Sequence, residues 1–94
     1  MIIEHYGTKY AIKYVLTLEE RNALYKESQR FQAMKEKGKE YDAFDLSMSF
    51  ILGTIHKILD LPYETIDMMS PVEAFGLFEK CVDASDIISG FSSK

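Results

Sequence analysis

Apolar residues recur at every second position near the start of the chain, then switch after Thr17 to a spacing of three and four. That change of period separates strand from helix. Ile2 to Tyr6 is short and apolar, and Tyr10, Ile12, Tyr14 and Leu16 alternate with Lys9, Ala11, Lys13 and Val15. The intervening Gly7-Thr8 predicts a two-residue turn, with glycine at the first position as a type II′ turn prefers. This register sets Tyr6 opposite Lys9, His5 opposite Tyr10 and Ile3 opposite Ile12, so that Ile3, His5, Tyr10 and Ile12 share one face. A β-hairpin over residues 1–16 follows. Because an isolated hairpin is marginal in water, the helices after it are expected to cover that face.

The helices are announced by their ends. Thr17-Leu18-Glu19-Glu20 reads as a capping box, and Gly38 marks the stop of a helix over 17–37 with Leu18, Leu24, Tyr25, Phe31 and Met34 as its apolar stripe. Asp42 or Asp45 opens a second helix, 43–60, whose broad stripe runs through Phe44, Met48, Ile51, Ile55, Ile58 and Leu59 and is widened by Leu46, Phe50 and Leu52. So wide a stripe marks the most buried helix, and Leu61-Pro62 ends it. A short helical turn is expected between Pro62 and Met69. Ser70-Pro71-Val72-Glu73 then starts a helix over 70–83, with an N-cap serine, a proline at the first helical position and a glutamate at the third. A last short turn over 86–91 stops at Gly90. The expected class is mainly α with a short N-terminal β-hairpin (α+β), one small helical domain spanning 1–94.

Composition narrows what such a domain does. Eleven basic residues against fifteen acidic ones give a net charge of −4, which repels phosphate backbones, so no nucleic-acid partner is expected. Cys81 is the only cysteine, which rules out a disulfide within the chain. Met1-Ile2-Ile3 is followed at once by Glu4 and His5, unlike a signal peptide. No apolar run approaches the roughly 20 residues of a membrane span, so no membrane association is expected and a cytoplasmic address is the default.

Candidate chemistry reduces to packing at each position. His56 and Asp60 lie four apart on one helical face, a spacing that suits a metal or a proton relay, but a zinc site needs a third ligand. A hydrogen bond along the helix is the expected role. Cys81 stands among Leu77, Phe78 and Val82 with one neighbouring lysine, Lys80, as a buried structural thiol would. Asp42, Asp45 and Glu73 read as helix starters, and Asp83 and Asp86 as flanking a turn. The five glycines are scattered, so no phosphate loop exists. No catalytic residue, metal or cofactor is therefore expected, and the chain is read as a non-enzyme. Gly53 and Gly76 inside predicted helices call for close helix crossing or for a groove that admits a partner. Exposed-looking apolar residues gather late in the chain: Met68, Met69, Phe75, Phe78, Ile87, Ile88 and Phe91. Methionines and aromatics on an adaptable surface suit recognition of apolar helices, and these seven are the candidate partner-binding residues. Closing a small core is the other role open to them.

The order of elements resembles the tail assembly chaperones of long-tailed bacteriophages. The likeness lies in Tyr6-Gly7-Thr8-Lys9-Tyr10-Ala11-Ile12-Lys13 running into Leu16-Thr17-Leu18-Glu19-Glu20-Arg21, and in Leu59-Asp60-Leu61-Pro62 followed by Ile66-Asp67-Met68-Met69-Ser70-Pro71-Val72-Glu73. The resemblance implies a protein that coats the helical tape-measure protein, recruits tail-tube subunits, and works in the host cytoplasm. It also implies, in many members, a longer frameshifted form. Two other readings compete: a small acidic phage-encoded inhibitor of a host enzyme, and a helical adaptor or regulatory subunit. Self-association is left open by the sequence.

Overall fold

The computed structural model describes residues 1–38 and 40–90, with the side chains of 40–46 outside the described set. Helix makes up 68% of it, so the mainly α class with an N-terminal hairpin is what the structure shows. The order is β1 (Ile2–His5), β2 (Thr8–Ala11), α1 (Leu18–Glu36), α2 (Glu40–Leu59), α3 (Tyr63–Asp67) and α4 (Pro71–Ser89).

The hairpin differs from expectation by one residue in its turn. Ile2 pairs with Ala11, Ile3 with Tyr10, Glu4 with Lys9 and His5 with Thr8, which places Tyr6 and Gly7 at the turn instead of Gly7 and Thr8. Both have positive φ, 50° and 77°, as a type I′ turn demands. The left-handed conformation is costly for tyrosine, but its ring stacks on His5 with centroids 4.5 Å apart. Moving the turn by one residue shifts cross-strand partners by two, so Ile3, His5, Tyr10 and Ile12 keep their common face. The ladder ends earlier than the alternation suggests. Past the Ile12 amide, which donates to the Met1 carbonyl, the amides of Lys13 and Tyr14 donate to the Ile58 carbonyl at 2.8 and 3.1 Å. An extended segment thus satisfies a carbonyl left open at the end of α2.

Helix α1 begins as expected, with the complete Thr17–Glu20 capping box, and Gly38 follows it at φ 79°. Leu24 is its one buried residue, while Leu18 and Tyr25, expected in the stripe, are exposed. Helix α2 starts at Glu40, ahead of both Asp42 and Asp45, so neither opens it. Phe44 and Leu46 lie outside the described side chains. At its other end Asp60 takes a left-handed φ of 54° before Leu61-Pro62. The core gathers Ile51, Ile55, Ile58 and Leu59 of α2 with Ala74, Leu77 and Cys81 of α4, closed by Leu16, Leu24 and Ile66.

Helix α4 corrects the separate 86–91 turn. It runs unbroken from Pro71, behind the Ser70 cap, to Ser89, where Gly90 terminates it at φ 81°; Phe91 lies outside the described residues. Asp83-Ala84-Ser85-Asp86 reads as a break because serine and aspartate compete with helical backbone bonds. Here Ser85 and Asp86 have distant partners instead. The Leu16 amide donates to Ser85 Oγ at 2.9 Å, and Arg21 Nε donates to both Asp86 carboxylate oxygens at 2.8 and 3.1 Å.

Gly76 answers the question of the helical glycines. The His5 ring lies against it, and a Cβ there would come 2.8 Å from His5 Cε1. A hairpin side chain approaches α4, and no helix crossing is involved. Gly53, by contrast, faces the Tyr63 hydroxyl at an ordinary 3.9 Å. Gly76→Ala would stabilise an unencumbered helix by about 1 kcal/mol. Here overpacking should win, and urea denaturation is expected to show a loss of roughly 1–3 kcal/mol. In a His5→Ala background the same change should revert to mild stabilisation.

Candidate functional site

Three clusters place titratable groups together, and the first is the His5 notch. His5 is buried at 6% exposure, and its Nε2 lies 2.9 Å from the Glu73 carbonyl. A carbonyl only accepts, so Nε2 carries the hydrogen. Among the described residues Nδ1 is buried without a hydrogen-bond partner. With Nε2 committed to backbone, His5 acts as a fastener of β1 onto α4, aided by Lys80 Nζ, which donates to the Glu4 carbonyl at 2.8 Å.

The second cluster joins the extended segment, α1 and α2. Glu20 accepts from the Tyr14 hydroxyl, from Lys57 Nζ and, at 3.0 Å, from the Thr17 amide. Lys57 also sits over the Tyr14 ring, 4.9 Å from its centroid. The Lys57 bond, then those from Tyr14 and Thr17, pull the Glu20 carboxyl down to about 2. The same carboxylate raises the Tyr14 and Lys57 pKa values. A cleft of about 370 Å³ lies beside this cluster, between α1 and α2. The carboxylate is fully ionised and engaged on both oxygens, the opposite of a general acid, whose pKa must be raised.

The third place is His56, and its expected bond to Asp60 is not made. His56 Nδ1 instead donates to the Leu61 carbonyl at 2.6 Å, and the ring stacks on Tyr63 at 4.1 Å. The left-handed turn at Asp60 brings Leu61 back over the helix end, which is why the carbonyl takes the bond. Cys81 is fully buried, and burial pushes its thiol up to about 12, as a structural cysteine requires. Among the described residues no group of three or more His, Cys, Asp or Glu side chains is placed to hold a metal ion. Among them, too, no helix is long and apolar enough to cross a membrane.

The partner-binding candidates separate. Phe75 and Phe78 line a groove floored by α2 and walled by α1 and α4, where they meet Phe31 and Phe50. Phe31 and Phe50 contact edge to face at 6.3 Å. The groove comprises two adjoining pockets of about 400 and 350 Å³ that share Lys35, Ser47, Ile51 and Phe75, and Val72 borders the second. Phe75 is half exposed and Val72 three-quarters exposed. Ile87 and Ile88 are exposed too, but lie twelve and thirteen residues on from Phe75, roughly 18 Å along the helix. Met69 packs on the core and Met68 stands exposed by itself. Sequence reasoning assigned Phe31, Phe50 and Val72 to packing; the one signal for Phe31 was its isolation in a strongly charged stretch. No family model, no curated protein and no solved structure matches this chain.

The Glu20 cluster predicts a pH dependence. The folded pKa is depressed from its ordinary 4.5 to about 2, so the unfolded chain takes up the proton first as pH falls. The cluster's contribution is fully present above about pH 4.5 and is lost as pH falls to about 2. Glu20→Gln retains the capping bonds but loses the ion pair. Thermal melts should show a loss of about 0.5–1 kcal/mol at neutral pH and a flatter stability profile across that acid window.

Proposed function

We propose that this protein is a non-enzymatic assembly chaperone that binds an apolar helical segment of another protein. In the particular form suggested by its sequence, it is a phage tail assembly chaperone acting on the tape-measure protein and recruiting tail-tube subunits. The observation that carries the reading is the groove between α1, α2 and α4, where Phe31, Phe50, Phe75 and Phe78 converge and remain partly open to solvent. Its walls are helices whose backbone groups are already bonded internally. An extended strand would find no ladder to join there, whereas a helix needs side-chain contacts alone. Catalysis has no comparable support, since the Glu20 carboxylate, His5 and His56 are each committed to structural bonds. The inhibitor reading would want a single acidic face, whereas acidic and basic residues are interspersed along the chain.

Co-expression with a tape-measure protein and size-exclusion chromatography tests the proposal. A stable complex is expected. Phe75→Ser and Val72→Ser, both at exposed positions, should weaken it at least tenfold, or about 1.4 kcal/mol, with the circular dichroism of the free protein unchanged. Full binding by both variants, with loss on Ile87→Ser and Ile88→Ser, would move the site to the far end of α4. No complex at all would defeat the chaperone reading.

A further inference from the structure

In the His5 notch nothing among the described residues is placed to receive a second ring proton. The ring is buried, Nε2 spends its hydrogen on the Glu73 carbonyl, and Nδ1 has no partner. A proton on Nδ1 would turn it into a donor and place a charge on the ring. A buried donor without an acceptor is costly, and a buried charge without a counter-charge more so.

The neighbours on both elements bear this out. On α4, Glu73 and Lys80 stand three positions before and four after Gly76, the residue the ring rests on, and share its side of the helix. Among the described residues no carboxylate makes an ion pair with the ring. Lys80 instead brings a positive charge to the Glu4 carbonyl, one residue from His5. On the hairpin, Glu4 and Lys9 lie opposite each other on the face turned away from His5. Thr8 stands across from His5, yet its hydroxyl makes no bond to Nδ1. Tyr6 stacks on the ring with the planes 24° apart, so it offers no acceptor in the plane where an Nδ1 hydrogen would point.

We propose that the hairpin is an acid-released strap: when His5 takes up a proton at Nδ1 it leaves the notch, and the hairpin lifts off α4 while the helices stay folded. Docking selects the neutral ring, so the undocked form binds the proton, and docking is favoured at higher pH and lost as pH falls. Release bares Ile3, Tyr10 and Ile12, which pack on the core when the strap is closed. His5 meets α4 at Glu73 and Gly76, whereas the groove is lined by Phe75, Phe78 and Glu79, so the strap does not depend on the chaperone reading.

Amide hydrogen exchange of the full chain, followed by NMR from about pH 8 to about pH 5, where imidazoles titrate, is the test, with the His5 ring signals recorded alongside. Once the ring begins to titrate, protection of the Ile3 and Tyr10 amides, corrected for intrinsic exchange, should fall by about tenfold per pH unit. The Ile55 and Leu77 amides should hold. Glu20 acts below about pH 4.5 and stays outside this range. His56 titrates within it, but His56→Gln should leave the loss unchanged. His5→Gln, whose amide can still donate to the Glu73 carbonyl but takes up no proton, should abolish it. Hairpin amides that stay protected while the ring signals report the imidazolium overturn the proposal, whether or not His5→Gln docks well. So does a hairpin that stays closed down to pH 5, an acid loss that His5→Gln retains, or one in which Ile55 and Leu77 lose protection at the same pH.

Discussion

The face shared by α2 and α4 is the constraint from which the remaining structure follows. Ile55 and Ile58 from one helix, and Leu77 and Cys81 from the other, are all completely removed from water. Burying one such side chain contributes about 1.5–3 kcal/mol, so these few positions outweigh any surface ion pair in the molecule. Other elements attach to this pair by more specific means. Ile66 brings α3 into the core with a single buried side chain. The hairpin is fastened by His5, whose ring fits only because residue 76 has no Cβ. The extended segment after it is held by two amides on the Ile58 carbonyl.

Helix α1 is the element this arrangement serves least. Over nineteen residues it buries Leu24 alone, and it packs on α2 while scarcely meeting α4. Near its N-terminus it is clamped by charge, through Glu20 to Lys57 and Arg21 to Asp86. Toward its C-terminus Phe31 and Met34 are only half buried. The groove is the geometric result of one helix pinned near its start and incompletely packed beyond. A fourth helix beside α1 and α4 would complete the packing that three helices leave unfinished.

What the sequence disclosed and what it concealed divide by the range of the interactions involved. The Thr17–Glu20 and Ser70–Glu73 caps, and the stops at Gly38 and Gly90, depend on residues within one turn and were legible. The continuity of α4 was not, because Ser85 and Asp86 are satisfied by Leu16 and Arg21, more than sixty positions earlier. The turn of the hairpin shifted by one residue because the alternation constrains which residues share a face and leaves the pairing free by two. At the groove, periodicity marked Phe75 and Phe78 as apolar but gave no way to see that Phe31 and Phe50 would be left half covered beside them. That outcome depends on how α1, α2 and α4 pack against one another, which no local pattern encodes.

Size gives the open groove an energetic meaning. A 94-residue chain buries only about two-thirds of the surface its unfolded form exposes, and this one leaves part of an aromatic cluster wet. A helical partner of the kind proposed would bind the folded chain and not the unfolded one, and so would stabilise the fold by mass action. Occupancy and stability are therefore linked through α1. A helix bound there, as proposed, would supply Phe31 with contacts that the chain by itself does not. The Glu20–Lys57 and Arg21–Asp86 ion pairs hold the start of α1, the helix that forms one wall of the groove. The ion pairs at the start of that helix matter less for their own small energies than for keeping the distant wall of the groove standing.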